Sequence, residues 1–199
     1  MCEHETKAGL QNKAAIYREL SEYYSGVLRS GKAASMHIGS LLAVRLAVPE
    51  VGENSAYDFN RLFIDPQQLL APPHEAAYCG ERTTAMRLEC LFARQACEDA
   101  GLDLLQGDTP NGHLHYAFAY MSCLLEALAK EPTFDTELAV ALWESYQLYL
   151  RDHLLNWIFD HLRDVRRFSV SDFCHNVAAA AGVFMQSEQE AMYLEAQEA

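Results

Sequence analysis

The stretch from Tyr57 to Glu81, YDFNRLFIDPQQLLAPPHEAAYCGE, decides how this chain is read. Phe59, Leu62 and Phe63 recur at i, i+3 and i+4, which sets two aromatic rings and a leucine on one face of a short helix. Such a face must be covered, by the protein's own core or by a ligand. Pro66 and the Pro72-Pro73 pair end the helix and impose an extended passage, because proline fixes its own φ and pushes the preceding residue out of the helical region. The segment predicts helix, stiff crossing, helix. Nothing in it resembles catalytic machinery.

Outward from this stretch, nearly every apolar pattern has a helical period. Tyr17, Leu20, Tyr24, Val27 and Leu28 form one stripe, and Ile38, Leu41, Leu42 and Leu46 another, with Gly31 between them as the expected break. Pro49 and Gly52 are the expected end of the second helix. Residues 83–100 are apolar on two opposite sides, as a helix inside a bundle would be. Gly101 stops that pattern, and Gly107 to Gly112, centred on Pro110, reads as a turn-rich connection. The next helix begins near His113, with Leu114, Phe118, Met121, Leu125 and Leu128 in front and Tyr116, Tyr120 and Cys123 behind. The longest pattern runs from about Phe134 to His161 as an expected central helix. A final helix follows Ser171 or Asp172 as cap, with Phe173, Val177, Ala180, Ala181 and Phe184 at core spacing. No alternating run is long enough for a strand. The expected fold is all-α, a single-domain bundle of about seven to nine helices over residues 1–186, with an acidic, mobile tail at 187–199.

Composition narrows the function classes. A chain of 199 residues suits one sizeable core, and half of its residues are hydrophobic. Fifteen Lys and Arg against 28 Asp and Glu give a formal charge of -13, which repels a nucleic-acid backbone and attracts basic ligands. The same acidity also serves plain solubility. No segment approaches the roughly 20 apolar residues that cross a bilayer, and no signal peptide opens the chain, so a cytoplasmic location is expected. Cys2, Cys79, Cys90, Cys97, Cys123 and Cys174 form no Cys-x-x-Cys unit and read as free thiols.

Motifs for chemistry are sparse. His113-Leu114-His115 is the nearest approach to a metal pair, but residues two apart on a helix point to opposite sides. Only at the mouth of a turn could the two imidazoles share an ion, and a helical metal-binding enzyme or sensor built on His113 and His115 is the alternative reading. There is no G-x-S-x-G turn and no phosphate-binding loop. Arg166-Arg167-Phe168 is similar to an export signal's arginine pair, but it is internal and reads as a basic helix end. Phe59, Leu62 and Phe63, the Pro72-Pro73 bend and the His113 turn can instead converge on one groove between helices. For the three apolar residues, plain core packing remains the competing explanation.

These residues resemble the TorD/DmsD/NarJ-type chaperones that mature molybdenum-containing redox enzymes. Phe59-x-x-Leu62-Phe63, Pro72-Pro73 and Glu75-x-x-Tyr78 are similar to the family's aromatic-x-x-Leu-Phe, proline, Tyr pattern. YLRDHLLNWIFDHL, Tyr149 to Leu162, is similar to its helix with His-Leu-x-x-Trp. At the family's Glu-Pro-x-Asp-His-Leu hinge, Pro110, His113 and Leu114 are kept, whereas Thr109 stands for Glu and Gly112 for Asp, with Asp108 one residue away. The resemblance implies a non-enzymatic cytoplasmic chaperone without a cofactor of its own. Its partners would be an apo-oxidoreductase catalytic subunit and that subunit's twin-arginine signal peptide, held until the molybdopterin cofactor is inserted. Phe59, Leu62, Phe63 and Tyr78 would meet the apolar part of the peptide, and Asp108 with His113 its basic part, with Pro110 shaping the hinge. Such a chaperone would be a monomer or a helix-exchanged homodimer.

Overall fold

The computed structural model describes residues 6–65, 69–79 and 113–198. Among these, eight α-helices and one 3₁₀ turn make an all-α bundle. They are α1 (Lys7–Tyr24), α2 (Leu28–Leu41), α3 (Ser55–Phe63), α4 (Ala76–Cys79), α5 (Leu114–Lys130), α6 (Glu137–Asp152), the 3₁₀ turn Leu154–Asn156, α7 (Ile158–Phe168) and α8 (Asp172–Glu198). The two-sided helix expected at residues 83–100 lies outside the described residues.

The centre of the bundle is α1, which packs along both α5 and α2. It can do so because it is apolar on two stripes. Leu10, Ala14, Tyr17 and Tyr24 recur at steps of four, three and seven residues, and Ile16, Leu20 and Tyr23 form the second stripe, all buried. The Thr6 hydroxyl accepts from Gly9 N–H (3.0 Å) to start the helix. Its end is made by Gly26, not Gly31. Gly26 has φ +102°, and the N–H groups of Gly26 and Val27 reach back to the Tyr23 and Glu22 carbonyls (2.9 and 3.0 Å), the paired bonds of a Schellman motif. Gly31 lies inside α2, where a Cβ would stand 2.8 Å from the Tyr23 ring and 3.0 Å from Val177. Its missing side chain lets α2 approach α1 and α8 closely.

α2 ends at Leu41, well before Pro49. Ala43 takes the left-handed conformation (φ 52°), and Val44 N–H returns to the Gly39 carbonyl (3.1 Å), a second Schellman closure without a glycine to announce it. The long pattern from Phe134 to His161 is likewise not one helix. It breaks at His153 (φ -117°, ψ -68°), and Asn156 Nδ2 donates to the freed Asp152 carbonyl (2.6 Å). The break turns Leu150, Leu154, Trp157 and Ile158 all into the core. No proline or glycine marks the site; burial of four large side chains outweighs the loss of a few helical hydrogen bonds. α5 follows expectation in front, where its main stripe is buried, but Tyr116, Tyr120 and Cys123 behind are only half-buried.

The longest helix is α8, which runs through residue 187 to Glu198 instead of yielding to a tail there. Glu188 is buried, with Lys13 Nζ at 2.9 Å and hydroxyl donors from Tyr17 (3.1 Å) and Tyr146. This carboxylate joins α8 to α1 and α6.

A second buried carboxylate sets α3. Asp58 accepts from the N–H groups of Val170 and Ser171 (3.0 and 2.9 Å), the Ser171 hydroxyl (2.7 Å) and Arg61 (2.9 Å). Ser171 in turn caps α8, accepting from Cys174 N–H (3.2 Å). Burial pushes the Asp58 carboxyl up, but the hydrogen bonds from Ser171, Arg61 and Val170 outweigh it and hold the group below the usual carboxylate range.

Two substitutions test this arrangement by urea denaturation. Asp58→Ala takes the acceptor from four donors, Arg61, the Val170 and Ser171 N–H groups and the Ser171 hydroxyl, and is expected to cost about 3 kcal/mol or more. Gly31→Ala is expected to destabilise by about 1–3 kcal/mol through overpacking against Tyr23, although alanine is the better helix former by about 1 kcal/mol. A neutral or stabilising Gly31→Ala would show that the α1–α2 approach is not tight.

Candidate functional site

The proline crossing, the start of α5 and the face of α7 meet at one junction. Pro72 and Pro73 have no N–H to satisfy, so their carbonyls are what must be paired. Leu114 N–H donates to the Pro73 carbonyl (2.9 Å), and His74 and His113 form an isolated antiparallel bridge. The His161 Nδ1–H donates to the Pro72 carbonyl (3.1 Å), because a carbonyl can only accept. That assignment leaves Nε2 as an acceptor for the Tyr24 hydroxyl (2.9 Å). Upstream, Ala71 N–H donates to the Leu62 carbonyl (3.1 Å). The crossing is therefore a shelf, bonded at successive residues to α3, α7 and α5.

The aromatic triad of the opening stretch sits behind this shelf. Phe59, Leu62 and Phe63 are 3 %, 0 % and 6 % exposed. Phe59 and Phe63 pack edge-on to Tyr23 (5.4 and 6.2 Å between ring centres), and Phe63 also meets Tyr24 (5.3 Å) and His161 (5.9 Å). Core packing, the competing explanation, describes all three, and they stand behind the shelf as its support. Tyr78 is half-buried at the outer edge, stacked on Trp157 (5.6 Å, 19°) and edge-on to His161 (5.9 Å). Burial and the Asp164 and Asp160 carboxylates keep its hydroxyl protonated. Asp108 and Pro110 lie outside the described residues.

His113 is the N-cap of α5. Its Nδ1 accepts from His115 N–H (3.0 Å), and its ring stands 5.0 Å from that of His74. His115 turns the other way, its Nδ1–H donating to the Ser21 carbonyl (3.0 Å) while the Ser21 hydroxyl donates to the His115 carbonyl (2.8 Å). The two imidazoles thus do separate jobs, one capping a helix and one stitching α5 to α1. Among the described residues, no three His, Cys, Asp or Glu side chains are placed to hold a metal ion.

Sequence reasoning missed His161, Tyr24 and His74 as members of the junction. The signal was present in part, since Trp157 and His161 stand at i, i+4 inside the quoted YLRDHLLNWIFDHL. Their partners come from residues 24 and 72–78, a pairing that no local pattern reports. Glu75 is also buried here, with His153 Nδ1 at 3.6 Å.

All four junction histidines are held toward the neutral form. Burial, reinforced by the positive charge that His74, His115 and His161 would carry, pushes His113 down to about 3. Burial does the same to His161, to about 3, against an opposing bond to Pro72. His74 and His115 are lowered by burial as well. Above pH 6.5 these groups are neutral whether folded or unfolded. Below it the unfolded chain binds protons that the folded chain refuses, so stability falls as pH drops from about 6.5 toward 3. Thermal melts are expected to be level above pH 7 and to shift down between pH 6.5 and 4.5. His113→Asn keeps a capping acceptor and removes one titration, so its melts should fall less steeply. An identical pH profile would sink this assignment.

No curated protein and no solved structure matches this chain. A family model described as nitrate reductase delta subunit matches residues 35–162, from within α2 to within α7. That range contains α3, the proline shelf, the His113 cap, Trp157 and His161, and it spans more than half of the sequence. The chain belongs to the nitrate reductase delta subunit family, a family of chaperones for molybdoenzyme assembly.

Proposed function

We propose that this protein is a cytoplasmic chaperone that binds the apo catalytic subunit of a molybdopterin-dependent oxidoreductase, through its twin-arginine signal peptide, until the cofactor is in place. The observation that carries this reading is the family match across the junction. Among the described residues no helix is long and apolar enough to cross a membrane, in keeping with a protein that meets its client before export. A chaperone of this kind performs no reaction, so the junction needs only shape and charge.

Tyr78 and His113 are the proposed client contacts at the shelf. Tyr78 offers a half-buried aromatic face, and the Asp164 carboxylate on α7 lies near its hydroxyl to receive a basic group, Asp160 being paired with Arg163 (2.7 Å). Asp108 and Pro110 are proposed to complete the polar side. Phe59, Leu62 and Phe63 serve by holding α3 and the shelf rigid, which lowers the ordering cost of binding.

Titration calorimetry tests the reading with two probes, a synthetic twin-arginine signal peptide and a purified apo catalytic subunit. Saturable binding with a Kd in the micromolar range or tighter is expected. Tyr78→Ala is expected to weaken it about tenfold at a temperature where its melt shows the fold intact. Phe63→Ala should instead act on stability, costing about 3–5 kcal/mol as a core deletion. Absence of heat with both probes would remove the proposal.

A further inference from the structure

The other end of α5 carries an opening that the junction does not use. Where the last turn of α5 parts from the first turns of α6, a cavity of about 250 Å³ is lined by Leu128, Phe134, Val140, Trp143, Glu144 and Gln147 among others. Its floor is apolar and aromatic, with Trp143 stacked on Tyr146 (5.2 Å, 19°). The Trp143 indole N–H is shielded from water and has no acceptor among the described residues. A buried donor left without a partner is costly, and a ligand carbonyl is the group that would satisfy it.

The rim is acidic. Glu137, Val140, Glu144 and Leu148 fall at i, i+3, i+7 and i+11 of α6, so they share the exposed face of that helix, carboxylates alternating with apolar side chains. Val140 is 39 % and Leu148 51 % exposed. Of the cations on this side, Lys13, which lies with Trp143 and Gln147 along a neighbouring cleft, is paired with Glu188 (2.9 Å), Lys7 is engaged by the Glu131 and Pro132 carbonyls, and Lys130 is in the last turn of α5. An apolar slot lined by Trp143, with a carboxylate stripe along its rim, is complementary to a peptide that carries an apolar anchor beside a basic residue.

We propose that this α5–α6 groove docks the arginine-bearing end of the client's signal peptide, an adjoining apolar side chain entering the cavity and a guanidinium meeting Glu144. This rests on the signal-peptide reading above and adds a second contact to it. From Leu114 to Leu128 the rise of α5 is about 21 Å at 1.5 Å per residue, a distance that about six or seven extended residues span. One signal peptide therefore reaches from the groove to the shelf.

Fluorescence anisotropy with a labelled synthetic twin-arginine peptide tests this in wild type, Val140→Arg, Glu144→Arg and Tyr78→Ala. Val140 and Glu144 are exposed, so both arginine variants should melt as wild type does. Each is expected to weaken peptide binding about tenfold or more by blocking the slot or repelling the peptide. Peptide lacking tryptophan should also shift the intrinsic emission of the wild type, and Trp143→Phe should lose the part of that shift that comes from the groove and keep the part from Trp157 at the shelf. Undiminished binding in both arginine variants, with a loss in Tyr78→Ala, overturns the groove and leaves the signal-peptide reading standing. Failure of wild type to bind the peptide overturns that reading, and the groove with it.

Discussion

Asp58 is the interaction on which the arrangement of this bundle depends. A carboxylate with no access to water is tolerable only if its oxygens are supplied with donors, and here the donors come from the turn between α7 and α8 and from Arg61. Meeting that requirement brings α3 against the start of the longest helix. Arg61 extends the tie by donating to the Phe168 carbonyl at the end of α7. With α3 so placed, Phe59 and Phe63 close over the Tyr23 and Tyr24 rings of α1. The shelf at Pro72 and Pro73 then has a rigid backing.

That backing explains how a helical bundle presents a stretch of extended backbone without a sheet. The Pro72 and Pro73 carbonyls of the crossing are matched to donors from other helices, one a side chain, His161, and one a helix end, Leu114 N–H. The histidines serve as neutral hydrogen-bonding groups. A protonated His161 would lose its acceptor role toward Tyr24, and a protonated His113 would place positive charge at a helix N-terminus. In the proposed client contact, a rigid shelf limits the entropy lost on binding and confines affinity to a few contacts at its edge.

Much of the fold was legible because helical periodicity is local. The stripes of α5 and α8 were read directly, as was the short aromatic helix α3, whereas the first stripe was right for Tyr17, Leu20 and Tyr24 but ran on into Val27 and Leu28, which begin α2. The boundaries were less legible. Gly31 looked like a breaker but is needed for close packing, whereas Ala43 and His153 break helices with no breaking residue present. For Gly31 the role is set by Val177, far away in sequence, whereas the break at Ala43 closes locally on the Gly39 carbonyl. The junction's geometry was legible only in part: the residues quoted from the opening stretch and the His113 turn do come together, Tyr78 and His113 at the junction and Phe59, Leu62 and Phe63 in the core behind it, but His161, Tyr24 and His74 were not foreseen.

By itself the sequence determined the all-α class, the acidic surface, the stiff proline crossing and the helix that starts at His113. Each follows from composition or from residues a few positions apart. Only the tertiary structure decided which apolar faces are core, which histidines pair with the prolines, and that Glu188 belongs inside the bundle instead of on a tail. A pattern of i, i+3 and i+4 shows that a face must be covered. What covers it is decided by chain segments many tens of residues away, when buried donors and acceptors find their partners.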